Sequence, residues 1–191
     1  MSAPVSVLVP TLDEELNLPE GVSGKANPKS TTGRLDIFTR LITDYGVEFD
    51  RVPPGYKGKL YAEIVTRTFT VRVKAGMRLS QLRFVRGNPD TRDGALRKLD
   101  IEENLVYMDE ESPVRATLDR GLRITVSLEA SEPGEIIAYK AKHNAPVVEL
   151  DKINHYPHEP YWETIYQAPN RSLILHPGDF YILASRERDR G

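Results

Sequence analysis

The stretch Ala26-Asn27-Pro28-Lys29-Ser30-Thr31-Thr32-Gly33-Arg34-Leu35 sets a lysine, an arginine and a run of hydroxyls around a glycine. Phosphate groups are held by such sets, because they need converging N–H and O–H donors, little steric bulk and cationic charge. Arg34 adds a rigid planar fork that a lysine cannot supply. The same composition also describes a solvated polar turn entering a strand, and composition alone leaves both readings open. A second stretch runs Arg51-Val52-Pro53-Pro54-Gly55-Tyr56-Lys57-Gly58-Lys59-Leu60-Tyr61-Ala62-Glu63-Ile64. Strand alternation puts Glu63 on the face of Tyr61 and Val65. A carboxylate on a buried, inward face is costly unless paired, and its proton affinity tends to rise. General acid–base chemistry at neutral pH uses that property. The alternative is a glutamate on the solvent face of an amphipathic strand.

The elements that must position these residues are short and β-rich. Ser6–Pro10, Leu35–Ile42, Leu60–Thr66, Phe69–Val73 and Leu79–Val85 are strand candidates. Pro53-Pro54-Gly55, Lys57-Gly58 and Ala75-Gly76 are turns between them. Many short strands with Gly/Pro punctuation predict a mostly-β sandwich or barrel rather than βαβ units. Asp93–Leu105 carries Ala95, Leu96, Leu99 and Leu105 among charges and predicts a short surface helix. Gly121–Leu128 and Glu135–Tyr139 restart the strand pattern. Residues 143–170 hold four prolines and the only tryptophan, and predict a long ordered loop anchored by Tyr161 and Trp162. Ser172–Ala184 predicts a β-hairpin turning at His176-Pro177-Gly178-Asp179. Asp109, Glu110 and Glu111 form a solvated charge run.

Composition narrows the function. The chain has 191 residues, 39% hydrophobic and 28% charged, enough for a packed core. Its net charge of −2 gives no basic face for nucleic-acid backbone binding, though a local pocket for one small anion is allowed. No cysteine is present, so disulfides, thiolate metal sites and a cysteine nucleophile are excluded. The zinc deaminases hold their metal through a Pro-Cys-x-x-Cys segment, which this sequence cannot supply. His155 and His158 flank Tyr156-Pro157 and read as loop residues rather than metal ligands. The sequence has no run of about 18 apolar residues and no signal-peptide pattern, so a cytoplasmic protein without membrane partners is expected.

The order of the parts resembles the dCTP deaminase and dUTPase family. There a Ser-containing turn ending in Arg precedes a hairpin, a Pro-Gly-aromatic-x-Gly turn, a strand with a catalytic Glu, and a Leu-Ser-Gln-Leu strand. Here these are Lys29–Arg34, Pro54-Gly55-Tyr56-Lys57-Gly58, Tyr61-Ala62-Glu63-Ile64 and Gly76-Met77-Arg78-Leu79-Ser80-Gln81-Leu82, in order. The resemblance implies a distorted β-barrel of the dUTPase-like (β-clip) type. It implies catalytic roles for Glu63, Arg34 and Ser30, with Glu63 as general acid/base. Nucleotide or phosphate binding falls to Lys29, Ser30, Arg34, Tyr56 and Gln81. It further implies deamination of dCTP to dUTP and ammonia, magnesium bound only through the substrate triphosphate, no zinc, and a homotrimer with composite sites. Lys29 stands where the family often has Arg. Pro53 stands where the family normally has Asp, the water-activating base of the dUTPases. That departure favours deaminase over dUTP diphosphatase. The early Gln-Pro motif and the C-terminal arm that closes over the phosphates are missing. A non-catalytic nucleotide-binding or oligomerisation paralogue is the remaining alternative.

The later chain resembles the long bacterial dCTP deaminase, which holds two tandem copies of the fold. Ser172–Glu187 looks like the opening of a second copy, as Ser6–Gly21 looks like the same element of the first. The expected organisation is residues 1–87 as the core of the first copy, 88–170 as a connector with added strands, and 171–191 as the start of a second copy. Strands at both termini would then lack partners and destabilise the chain taken alone.

Overall fold

The computed structural model describes residues 7–8, 10–87, 92–107 and 112–187. It divides into two compact units, and the first is discontinuous, comprising residues 1–88 and 141–162. Its strands are β1 (Val7–Leu8), β2 (Thr11–Asn17), β3 (Val22–Pro28), β4 (Ile37–Thr43), β5 (Arg51–Val52), β6 (Lys57–Thr66), β7 (Val71–Arg72) and β8 (Ser80–Arg86). One helical turn, α1 (Ser30–Gly33), lies between β3 and β4. β6 is the long central strand of a four-stranded antiparallel sheet, with β4 along one side and β1 and β2 along the other. β3 sits between β5 and β8 in a second sheet.

Alternation along β4 buries Ile37, Thr39, Leu41 and Thr43 and exposes Phe38 and Arg40. Leu41 and Leu60 from one sheet meet Ala26 and Val52 from the other, with Leu18 and Tyr56 completing the cluster. The Pro53-Pro54-Gly55 turn is held by Leu18 N–H to Tyr56 O at 2.8 Å and Gly55 N–H to Pro19 O at 3.2 Å. Gly55 has φ +72°, and a Cβ there would lie 2.8 Å from the Glu20 carboxylate, so the turn requires glycine.

Residues 141–162 return to this unit. Their strand β14 (Val148–Glu149) pairs in parallel with β7. Phe69, 2% exposed, packs edge-on against Tyr161 at 6.2 Å and Trp162 at 5.1 Å. Lys74 is bonded to Asp151, and Arg72 to Glu149 at 3.3 Å.

The second unit comprises residues 89–140 and 163–191. It holds α2 (Asp93–Glu103), the short strand pairs β9 (Val106–Tyr107) with β10 (Pro113–Val114) and β11 (Thr117–Leu118) with β12 (Leu122–Arg123), and a three-stranded sheet. That sheet is ordered β15 (Trp162–Tyr166), β13 (Ile136–Ala141), β16 (Tyr181–Leu183).

The mostly-β class and the 93–105 helix agree with the sequence reading. Several elements differ. Among the described residues no sheet closes into a barrel; the first unit packs two open sheets face to face. Residues 143–170 are not one loop, because β14 and β15 lie within them. Ser172–Ala184 forms no hairpin. The turn at His176–Asp179 exists, with Asp179 N–H to His176 O at 3.2 Å. Its following strand, β16, pairs with β13 through Tyr139 and Ile182 instead. Phe69–Val73 and Gly121–Leu128 shrink to two-residue strands, β7 and β12. The charge run at Asp109–Glu111 and part of Ser6–Pro10 lie outside the described residues.

Candidate active site

α1 is set by the chain entering and leaving it. Lys29 N–H bonds to Leu79 O at 2.9 Å, which ties the start of the turn to β8. Thr32 and Gly33 N–H both bond to Lys29 O, at 2.8 and 2.9 Å, and Arg34 N–H bonds to Ser30 O at 3.0 Å. These backbone donors are therefore spent inside the turn, contrary to the expectation that they face a phosphate. Thr32 points inward and is 3% exposed. Asp36, with φ 55°, ends the turn, and its carboxylate accepts the Thr68 hydroxyl at 2.7 Å.

What α1 presents outward is side chains. Lys29, Ser30 and Arg34 are exposed, and so is Gln81. Gln81 joins them because the β3–β8 register sets it opposite Asn27, two residues before Lys29. Among the described residues none of these four side chains has a hydrogen bond or an ion pair. Four polar side chains without partners on one tied-down corner can accept an anionic ligand at little cost in rearrangement.

Glu63 lies elsewhere in the unit. It is half-buried on β6, on the face opposite Leu60 and Ala62. The inward orientation expected from the sequence is thus corrected: the core takes the Leu60–Ala62 face, and Glu63 stands on the open one. Its register partner is Arg40, three positions along β4 from Ile37, or about 10 Å at the usual rise per residue. No hydrogen bond among the described residues joins Glu63 to Ser30 or Arg34.

Tyr56 belongs to the core and is 9% exposed. Its hydroxyl donates to Lys59 O and accepts Asp44 N–H at 3.0 Å. Those bonds fix the turn before β6. Tyr61, beside Glu63 on the same face, bonds to Asp44, and that bond holds the phenol above its usual range. Alternation names Tyr61 as a face-mate of Glu63; the Asp44 contact has no signal in the sequence. His155 stacks edge-on against Tyr156 at 4.9 Å, and the described residues contain no cluster of three or more metal-binding side chains. No described helix is long and apolar enough to cross a membrane.

Residues 4–88 match the model of the 2'-deoxycytidine 5'-triphosphate deaminase N-terminal domain, and residues 92–190 match that of its C-terminal domain. The chain belongs to the dCTP deaminase family. Its fold is similar to the crystal structure of 2'-deoxycytidine 5'-triphosphate deaminase from Agrobacterium tumefaciens, with a TM-score of 0.86 and 40% sequence identity. That alignment covers 96% of this chain and 53% of the Agrobacterium chain, so the chain spans about half the length of the enzyme it matches. No curated protein sequence matches it. In this dCTP deaminase family member, the two family domains meet between residues 88 and 92. The first unit of the fold also changes to the second there.

Proposed function

We propose that the chain carries out the hydrolytic deamination of dCTP to dUTP and ammonia. The observation that carries this reading is the set of unpartnered side chains at Lys29, Ser30, Arg34 and Gln81, standing in a domain of this family. In this reading Lys29 and Arg34 bind the triphosphate, Arg34 as a fork and Lys29 as a point charge. Ser30 also orients the attacking water. Gln81 meets the nucleotide, while Tyr56 acts through the turn it braces. Glu63 takes a proton from water as the oxygen adds to C4 of cytosine. It delivers that proton to the ring nitrogen N3, then takes the second from the C4 hydroxyl of the adduct and passes it to the amino group. The tetrahedral adduct collapses as ammonia leaves, and the ring N–H and carbonyl of uracil remain. Water supplies the oxygen and both protons, so the reaction balances without an oxidant or reductant. Magnesium would neutralise the triphosphate from the substrate side. With no cysteine in the sequence, a Cys-x-x-Cys zinc site has no ligands.

The reading includes a homotrimer in which a neighbouring subunit completes each site. Its support is the open sheet face beside Glu63, where Phe38 and Phe49 are 42% and 48% exposed. It also includes a tandem arrangement in which residues 171–191 open a second copy of the fold. Its support is the half-length coverage of the Agrobacterium enzyme.

The test is incubation with dCTP and with dUTP and separation of the products. Uracil nucleotide from dCTP is expected. Pyrophosphate released from dUTP would instead identify a diphosphatase, and no turnover of either would identify a non-catalytic paralogue. Glu63→Gln keeps size and hydrogen-bonding capacity but removes the proton acceptor. It is expected to slow deamination by about a hundredfold to ten-thousandfold, with dCTP affinity nearly unchanged. Near-normal turnover in that variant would refute the role given to Glu63.

A further inference from the structure

Arg40 and Glu63 stand directly opposite each other across β4 and β6, on the face turned away from the core. Residues so paired hold their Cβ atoms about 4.5–5.5 Å apart, and opposite charges there attract. No ion pair forms between them, and Glu63 has no hydrogen bond or ion pair among the described residues. The Arg40 guanidinium lies instead over the Phe49 ring, 4.9 Å from its centroid, with Phe38 at 5.9 Å. That contact is built into the backbone. Phe49 precedes Asp50, whose carboxylate accepts Leu41 N–H at 2.8 Å. Asp50 N–H also bonds to Leu41 O, and Ala26 N–H to Asp50 O, both at 2.9 Å. The loop that carries Phe49 is thus fastened beside the residue that follows Arg40.

On the strand and face of Glu63 stand Tyr61, engaged with Asp44, and Lys59. Across from these on β2 are Thr11 and Glu15. On the β1 side, Leu8 and Val7 stand opposite the two following residues, Ile64 and Val65. On the β4 side, Arg67 lies over Phe38 at 5.7 Å. Among the described residues, Arg40 is the cation that faces Glu63 directly.

We propose that Phe49 is a positioning residue whose ring draws Arg40 away from Glu63 and leaves the carboxylate open to water and substrate. The proposal rests on the reading of Glu63 as the acid/base. A carboxylate forked to a guanidinium spends its lone pairs on that partner and is biased toward its charged form. An acid/base must instead gain and lose a proton in every cycle. A cation–π contact satisfies the arginine without a carboxylate.

The experiment is a pH titration of the Glu63 side-chain carboxyl by carbon-13 NMR in the full 191-residue chain, with the resonance assigned by its loss in Glu63→Gln. Phe49→Ala should lower the titration midpoint by about 0.5–1 pH unit relative to the parent, as Arg40 swings onto the carboxylate. Phe49→Tyr, which keeps the ring, should titrate like the parent. The double variant Phe49→Ala/Arg40→Gln should return to the parent midpoint. An unmoved midpoint in Phe49→Ala, or a displaced one in the double variant, overturns the proposal. The acidic limb of dCTP turnover, followed in the same variants, separates the two ideas. If the midpoint moves and the limb does not, Glu63 is not the acid/base, and the role of Phe49 in placing Arg40 stands.

Discussion

At the scale of single residues, Asp100 and Asp93 organise the second unit through charge-assisted bonds to backbone. Asp100 is 3% exposed. Its carboxylate accepts Leu105 and Ala116 N–H, each at 3.1 Å, and its carbonyl accepts Arg115 Nη1 at 2.9 Å. Asp100→Ala strands two donors, so a loss of about 2–4 kcal/mol is expected in urea unfolding. Asp93, the first residue of α2, accepts Arg120 and Gly121 N–H at 2.8 and 2.9 Å. Those two bonds hold its carboxyl below the usual range. A depressed folded pKa contributes stability that is present above the unfolded value, near pH 4, and lost as pH falls through the folded one. Thermal midpoints measured from pH 6 to pH 2 should therefore fall more steeply for the parent than for Asp93→Asn. Among the described residues the Arg34 side chain has no protein partner, and in the proposed reading it serves the ligand rather than the fold. Arg34→Ala should weaken dCTP binding and slow turnover while leaving the melting temperature within a degree or so, as surface substitutions usually do.

At the scale of elements, β4 shows what sequence can and cannot reveal. Its branched and aromatic run announced a strand, and alternation divides it correctly into Ile37–Thr39–Leu41–Thr43 inside and Phe38–Arg40 outside. Polarity would place the threonines outside; packing between two sheets puts them in. The Thr39 and Thr43 hydroxyls are buried without a hydrogen-bond partner. Thr39→Val keeps the shape and removes an unsatisfied group, so it should stabilise the protein by about 1 kcal/mol. A loss in chemical denaturation would mean that a bound water satisfies the hydroxyl. The same limit explains the other misses. Glu63 was legible as a strand residue with a defined face. Which face the core takes depends on β3, β5 and β8, far away in the chain. The hairpin expected at Ser172–Ala184 had correct local turn chemistry, but β13 offered β16 a longer-range partner. The ordered motif from Lys29 to Gln81 was legible because residue type and spacing survive without knowledge of the pairing.

At the scale of the whole molecule, the first unit is not contained in one stretch of chain. Phe69 is covered by Tyr161 and Trp162, and β7 is paired by β14. A fragment of residues 1–88 should therefore expose Phe69, bind a hydrophobic dye and melt below the full chain, since burying one such ring contributes about 1.5–3 kcal/mol. A peptide of residues 141–162 added in trans should quench the dye and raise the melting temperature. Identical dye binding by fragment and full chain would show that this return segment contributes little. Its ion pairs add a salt signature. Lys74 and Asp151 each stabilise the charged form of the other, and Arg72 pairs with Glu149 across an exposed surface. Such exposed pairs weaken with ionic strength.

The return of residues 141–162 also sets a timetable for synthesis. Arg72 and the Glu149 it pairs with are 77 residues apart. At the usual pace of translation, about 5–20 residues per second, the later residue follows the earlier by roughly 4–15 s. Throughout that interval the nascent chain carries Phe69 uncovered and the edge of β7 open. The speed of decoding between codons 72 and 149 thus sets how long that apolar ring and open strand edge go without their partners.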